Sequence, residues 1–167
     1  MSEPIERVRF VQGQLLRPED FRAEQDYHRR MRWLHNRLLH GTGVVTGLEV
    51  GLSDDRTEVQ VSPGLAIDEW GRELLSDEIA RIAVGGIEAP ASDAPLWVVV
   101  RWVEEATAPA VPTPGSGGEF TRIRECALVE VQNAAPSGEA PALVLAALTR
   151  EAGRITGIDV SGRSILP

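Results

Sequence analysis

The clearest hydrophobic periodicity in the chain lies between residues 17 and 40. At about 100° per residue, five apolar positions fall within about 80° of one another, and two more lie close by on one flank. The five positions of this apolar stripe are Ala23, Tyr27, Met31, Leu34 and Leu38, and the flank adds Phe21 and Leu39. The spacing predicts one amphipathic helix over residues 17–40, and we expect its apolar stripe to be buried against the rest of the chain.

Both ends of this helix carry the expected signals. Pro18 fits the first helical position, where its missing N–H has no partner to lose, and Glu19 and Asp20 place negative charge at the positive end of the helix dipole. Gly41 and Gly43 stand where a left-handed residue would stop the helix. The helix boundaries are therefore well defined by the sequence.

The opposite face of the predicted helix carries one tryptophan among four arginines. They are Trp33, Arg22, Arg29, Arg30 and Arg37. A large aromatic side chain on a basic face has two explanations: another part of the same chain covers it, or another subunit does. The second explanation makes these five residues a candidate subunit interface.

After residue 42 the pattern changes to short apolar runs separated by turn residues, which is typical of β structure. We predict hairpins over 48–61 and 65–76, a strand over 79–84, two buried strands over 96–103 and 142–149, a long strand over 120–131 with a bulge near Cys126, and a closing strand over 154–160. A short strand over 7–11 precedes the helix. In the two most apolar strands, Trp97, Val99 and Leu145 should be largely buried.

These elements predict a mainly β fold, a β-sandwich or barrel-like meander with one long N-terminal α-helix packed on it. The length of 167 residues is typical of one domain, so we expect a single domain over 1–167. In it, the helix over 17–40 is followed by the sandwich over 42–167. Residues 104–118 are rich in proline and glycine and are predicted to form a mobile loop.

Composition excludes several classes of partner. With a net charge of −8 and an isoelectric point near 4.9, the chain has no general attraction for nucleic acid or for anionic membranes. No apolar run approaches the roughly 20 residues of a membrane span, and the N-terminal sequence lacks the apolar segment of a signal peptide. We expect the protein to be cytoplasmic when it is made. Cys126 is the only cysteine, so no intrachain disulfide forms.

The chemistry-bearing residues do not suggest catalysis. His28 and His35 lie about 10 Å apart along the helix axis, which is too far for one metal ion, and His40 follows the last predicted turn. The chain contains no G-x-S-x-G elbow, phosphate-binding glycine loop or H-E-x-x-H motif. We therefore expect no cofactor, no metal and no enzyme activity. Taken alone, Pro63, Gly64 and Gly71 are explained as hairpin turns.

Three separated blocks carry a resemblance to a known family. They are GQLLRPEDFRAEQDYHRRMRWLHNRLLHGTGVVTGLEV, VQVSPGLAIDEWGREL and LVLAALTREAGRITGIDVSGR. In this order they resemble the head modules of phage-tail and contractile-injection-system proteins. The first block is also similar to the N-terminal shell domain of the type VI secretion baseplate protein that joins the baseplate to the membrane complex.

The resemblance implies a noncatalytic structural or adaptor subunit of a phage-tail-like or contractile injection particle, serving baseplate or fibre attachment. It further implies a homo-oligomer, such as a trimer, with baseplate or fibre proteins as its other partners and assembly into the particle after synthesis. The main alternative is a carbohydrate-binding β-sandwich, which an exposed platform at Trp70, Trp97 or Trp102 would favour. A more remote alternative is an enzyme that uses the histidines.

Overall fold

A single N-terminal helix is followed by ten strands in the computed structural model, which describes residues 5–87, 94–109, 120–137 and 141–167. Helix α1 spans Pro18–His35 and continues into a π-helical turn over Asn36–His40. The strands are β1 (Gly43–Gly47), β2 (Val50–Leu52), β3 (Glu58–Val61), β4 (Gly64–Ile67), β5 (Glu73–Ser76), β6 (Ala80–Ala83), β7 (Leu96–Pro109), β8 (Phe120–Gln132), β9 (Leu143–Glu151) and β10 (Arg154–Asp159).

The strands form three antiparallel sheets, whose orders are β1-β4-β5, β2-β3-β6 and β10-β9-β7-β8. The predicted hairpins are confirmed, because β2 pairs with β3, β4 with β5, and β9 with β10. The fold is mainly β with one N-terminal helix and includes a half-barrel, as the sequence pattern predicted. Within the described residues, no helix combines the length and the apolar character needed to cross a bilayer.

One hydrophobic core joins the three sheets. Its fully buried members include Leu48, Val59, Leu74, Leu96, Val98, Leu145, Leu148 and Ile155. The burial predicted for Val99 and Leu145 is confirmed. Trp97 is only partly buried, because it lies on the opposite face of β7 from Leu96 and Val98.

Three expectations about the strands are wrong. Residues 7–11 form no strand, because no sheet edge pairs with this segment and its side chains stay mostly exposed. Strand β8 has no bulge at Cys126, since its register with β7 runs without interruption through Val103 and Cys126. Residues 104–109 belong to β7 and pair with β8 as far as Phe120, so they are strand rather than loop. Residues 110–118 of the predicted loop lie outside the described residues.

The docking of α1 is the largest departure from the sequence analysis. No residue of α1 is buried, and 53% of Phe21, 67% of Leu38 and 71% of Leu39 is exposed. The helix contacts the sheets through Arg29, Trp33 and the following Asn36, which lie roughly 160° around the helix from the centre of the apolar stripe. The expected burial of the apolar stripe is therefore wrong.

The C-terminal residues run back along β1 and end beside the π-helical turn. Val44 donates its backbone N–H to the carbonyl of Ser164 (2.8 Å), and Leu166 donates to the carbonyl of Val44 (2.8 Å). Gly43 lies under this segment, where a Cβ would come within 2.9 Å of the Ser164 carbonyl oxygen. These contacts fix the region around the end of α1.

Candidate functional site

The turn between β4 and β5 is built around a buried ion pair. Asp68 Oδ2 accepts a hydrogen bond from Arg72 Nε at 2.6 Å, and Asp68 Oδ1 accepts from the backbone N–H groups of Trp70 and Arg72, each at 2.9 Å. The side chains of Asp68 and Arg72 are 0% and 7% exposed. A buried carboxylate with three donors is satisfied, so this turn presents its outer residues in a fixed orientation.

Tryptophans and arginines stack outward from this turn toward the helix. The guanidinium of Arg72 lies 4.4 Å from the ring centroid of Trp70 and 4.7 Å from that of Trp102. Trp102 meets Trp33 edge to face at a centroid distance of 5.9 Å, and Arg29 lies 4.9 Å from the Trp33 ring. We call Trp70, Arg72, Trp102, Trp33 and Arg29 the arginine–tryptophan ladder. Each desolvated cation–π contact contributes up to about 2 kcal/mol.

Polar contacts strengthen the same docking surface. Arg29 pairs with Glu104 at 3.2 Å, and Arg32 pairs with Glu73. The buried side chain of Asn36 donates through Nδ2 to the carbonyl of Gly71 at 2.9 Å. The arginine-rich face therefore docks because the sheets offer it carboxylates and indole rings, which the apolar stripe cannot use.

Gly71 lets the helix approach this closely. Its φ of +87° lies in the left-handed region, and a Cβ at this position would come 2.0 Å from the carbonyl oxygen of Trp33. From its sequence context, Gly71 is predicted to be a turn residue only. Its second role, as the contact point of the helix, carries no signal in the local sequence, because Trp33 is 38 positions away.

The structure separates the five residues of the candidate subunit interface into two groups. Trp33 contacts Trp102 of the same chain, and Arg29 contacts Trp33 and Glu104, which matches the explanation that the chain covers its own tryptophan. Arg22, Arg30 and Arg37 are exposed. Because Trp33 is still partly exposed, the subunit interface over these five residues stays a prediction.

An open groove of about 590 Å³ lies between α1, the N-terminal segment and the β4–β5 turn. It is lined by Ile5, Met31, Trp33, Leu34 and Trp70, together with Arg30 and Arg37. We call it the helix groove. Its lining includes two residues of the apolar stripe and three residues of the candidate subunit interface. The apolar stripe and the candidate interface therefore share this groove.

Several large apolar side chains on this surface are exposed. Beyond the helix groove, Leu38, Phe21 and Leu39 are more than half exposed. Of the N-terminal segment, Ile5 lines the helix groove, and it is 57% exposed. Contiguous exposed apolar surface on a soluble domain marks an interaction site. We therefore identify the outer face of α1, consisting of the apolar stripe, its flank and the helix groove, as the candidate functional site.

The tryptophans that would favour a carbohydrate site do not share an exposed platform. Trp102 is enclosed by Arg72 and Trp33, and Trp97 is partly buried elsewhere on β7. Trp70 is 47% exposed, with Arg72 stacked near its ring. One partly covered indole does not provide the flat, multi-ring surface on which that alternative depended.

Among the described residues, no three histidine, cysteine, aspartate or glutamate side chains are arranged to hold one metal ion. However, His35 and His40 come together, with their Nε2 atoms 3.2 Å apart. The sequence does not predict this pair, because an uninterrupted α-helix would keep the side chains of His35 and His40 apart.

Comparison with known proteins places the fold. No protein-family model matches the chain, and no curated protein matches it either. Among solved structures, the crystal structure of TssK matches with a TM-score of 0.56 and 13% identity, over 93% of this chain and 41% of that one. The cryo-electron microscopy structure of the type VI secretion system TssK–TssF–TssG baseplate subcomplex matches with a TM-score of 0.54 and 15% identity, over 93% of this chain and 60% of that one.

A third structure, the baseplate complex from the type VI secretion system, matches with a TM-score of 0.53 and 14% identity, over 94% of this chain and 58% of that one. The chain thus spans about two fifths to three fifths of the length of these neighbours, and nearly all of it takes part in the match. At this identity the likeness concerns the fold. The fold of this chain is similar to that of a type VI secretion baseplate protein, as its sequence blocks suggested.

Proposed function

We propose that this chain is a noncatalytic structural subunit of a contractile-injection baseplate, made in the cytoplasm and incorporated into the particle through the outer face of α1. The observation that carries the proposal is the unpartnered apolar face of a helix that is docked by its opposite, arginine-rich side. The fold similarity to baseplate proteins supports the same role. In this proposal the protein acts as an adaptor that holds another baseplate or fibre element in place.

A second copy of this chain is the occupant that best fits the outer face of α1. The first half of the helix carries Glu19, Asp20, Glu24 and Asp26 against Arg22. The second half carries four arginines, of which Arg29 and Arg32 pair with the sheets and Arg30 and Arg37 are exposed. This segregation suits the helix dipole, and it also makes the helix complementary to itself when the first half of one copy meets the second half of another. A two-fold pair and a closed ring, including a trimer, both satisfy this arrangement.

The energetics favour association through this face. Leu38 and Leu39 are 67% and 71% exposed, and burial of apolar surface contributes about 25 cal/mol per Å². Arg30 and Arg37 stay exposed beside the apolar stripe, where arginine is a common interface residue, whereas Arg22 is exposed on the docked side of the helix. The predicted interface residues therefore border the apolar surface rather than form its centre.

Leu38→Glu tests this proposal. The protein should be an oligomer whose mass is a whole multiple of 18.2 kDa, and the variant should dissociate at least about 30-fold more readily, as for an anchor worth about 2 kcal/mol. Leu75→Glu on β5 is the matched control, because Leu75 is similarly exposed at 65% and lines a pocket formed by residues of β5, β6 and β8 rather than of α1. Light scattering measures the mass, and a thermal melt checks that both variants fold.

Two results would contradict the proposal. If the wild-type protein is monomeric at high micromolar concentration, a second copy does not cover the outer face of α1. Purified injection particles that lack the chain, from cells that produce both, would remove the baseplate role itself. Because the first experiment concerns the interface and the second concerns the particle, the two failures are distinguishable.

A further inference from the structure

The π-helical turn after α1 brings two histidine rings together, with their planes tilted by 59°. Five positions along a regular α-helix would put His35 and His40 about 140° apart around the axis. The wider turn over Asn36–His40 instead brings their ring centroids to 5.1 Å and their Nε2 atoms to 3.2 Å. Single π-helical turns of this kind occur frequently at functional sites.

The distance between the two nitrogens matches the distance between two ligand atoms bound to one metal ion. Two imidazole ligands at 2.0–2.1 Å from a tetrahedral Zn²⁺ lie about 3.3 Å from each other, and at a right angle about 2.9 Å. The observed 3.2 Å falls between these values. Both rings are exposed, so an ion can reach them from solvent and complete its coordination with water.

The backbone that carries the two rings is held in place by contacts that do not involve them. The buried Asn36 side chain donates to the Gly71 carbonyl (2.9 Å), and the Gly41 N–H donates to the Asn36 carbonyl (3.0 Å), which closes the turn. Gly41, with a φ of +86°, then ends the turn beside Leu166. A pair of ligands on a fixed scaffold loses little conformational entropy on binding.

We propose that His35 and His40 form a two-histidine site for a divalent transition-metal ion of the kind that imidazole prefers, such as Zn²⁺ or Ni²⁺. A bound ion would tie the π-helical turn to the last turn of α1 and so stabilise the end of the helix that borders the outer face. The competing explanation for the 3.2 Å distance is a hydrogen bond between one protonated and one unprotonated ring nitrogen, with no affinity for metal.

Calorimetric titration of untagged, EDTA-stripped protein with ZnCl₂ and NiCl₂ tests the site. We expect one ion per chain, at least tenfold weaker binding in His35→Gln and in His40→Gln, and unchanged binding in His28→Gln. His28 is the matched control because it is an exposed histidine on the same helix, with Glu24 as a neighbouring carboxylate at 3.0 Å. Zinc should also raise the melting temperature of the wild-type protein but not that of His40→Gln.

Other outcomes overturn the proposal. Equal binding in all four proteins would mean adventitious coordination by surface carboxylates, and absence of binding at millimolar zinc would leave only the hydrogen bond. Loss of binding in His28→Gln but not in His40→Gln would place the metal at the His28–Glu24 pair instead.

Discussion

Asp68 and Arg72 form the most deeply buried ion pair in the described part of the chain, and Arg72 also stacks on Trp70 and Trp102. Asp68→Asn should therefore lower the free energy of unfolding by about 3–5 kcal/mol, because it leaves the Arg72 charge buried without its partner. A denaturant titration measures the loss. A change below about 1 kcal/mol would show that the Arg72 guanidinium finds water in the variant.

Glu130→Gln is the matched control for that substitution. Arg101 binds both carboxylate oxygens of Glu130 (2.7 and 3.1 Å), but this pair is more than a third exposed, so its loss should cost less than about 1 kcal/mol. The hydrogen bond from Arg101 lowers the pKa of Glu130 below its usual range. A carboxyl group whose pKa is lowered in the folded state stabilises the fold at pH values above its unfolded-state pKa. This stabilisation is lost as the pH falls through the folded-state pKa. The difference in unfolding free energy between the wild type and Glu130→Gln should therefore shrink in acid.

At the scale of elements, the limits of α1 follow from its sequence, but its orientation does not. Pro18 and Gly41 bound the helical segment as predicted, and Asp20 accepts a hydrogen bond from the backbone N–H of Arg17 (2.8 Å). Periodicity finds the apolar stripe and cannot tell whether the chain itself or another chain covers it. The arginine-rich face became the docked face because Trp102 and Glu104 lie opposite it, about 70 positions away along the chain.

Gly71→Ala tests the close approach of α1 to the sheets. Its Cβ would clash with the Trp33 carbonyl, so the helix must shift or the turn must open. Gly153→Ala is a control with nearly the same backbone, since φ is +80° and no atom lies within 4 Å of the added Cβ. The control should lose about 1 kcal/mol from backbone strain, and Gly71→Ala should lose about 1–3 kcal/mol more from the steric conflict.

Melting curves of the two glycine variants measure this difference. Helix protection in hydrogen exchange should also fall in Gly71→Ala and stay unchanged in Gly153→Ala. Equal losses in the two variants would show that only the left-handed conformation matters at residue 71 and that the helix tolerates a methyl group there. That result would contradict the close packing of Gly71 against α1.

At the scale of the whole molecule, apolar runs and turn residues sufficed to predict a mainly β fold. Consecutive aliphatic residues, such as those around Val98 and Leu145, predict the buried strands β7 and β9. The strand predicted over 7–11 does not form, because three alternating residues become a strand only when the edge of a neighbouring sheet can pair with them. Whether such an edge is present depends on the rest of the fold. For the candidate interface, the sequence pattern identified the tryptophan and the arginines but could not tell which of them face the sheets, because that depends on the assembled molecule.

Assembly of the whole molecule should depend on the segregated charges of α1. Asp26 and Arg30 are both exposed and border the apolar stripe on the same side, one in the acidic half and one in the basic half. If the first half of one helix meets the second half of another, Asp26→Arg alone and Arg30→Glu alone should each bring like charges together and weaken the oligomer. A tenfold rise in the dissociation constant, equivalent to about 1.4 kcal/mol, is expected for each single variant.

The double variant Asp26→Arg, Arg30→Glu should restore the oligomer, because exchanging the two charges recreates opposite charges across the interface. The pair also keeps opposite charges four residues apart within one helix, so the stability of the monomer should change little. Light scattering at several protein concentrations measures the dissociation constant, and raising the salt concentration should weaken the wild type and the double variant alike. A double variant that is weaker than both single variants would rule out the proposed meeting of unlike helix halves, since the charge effects would then add instead of cancelling.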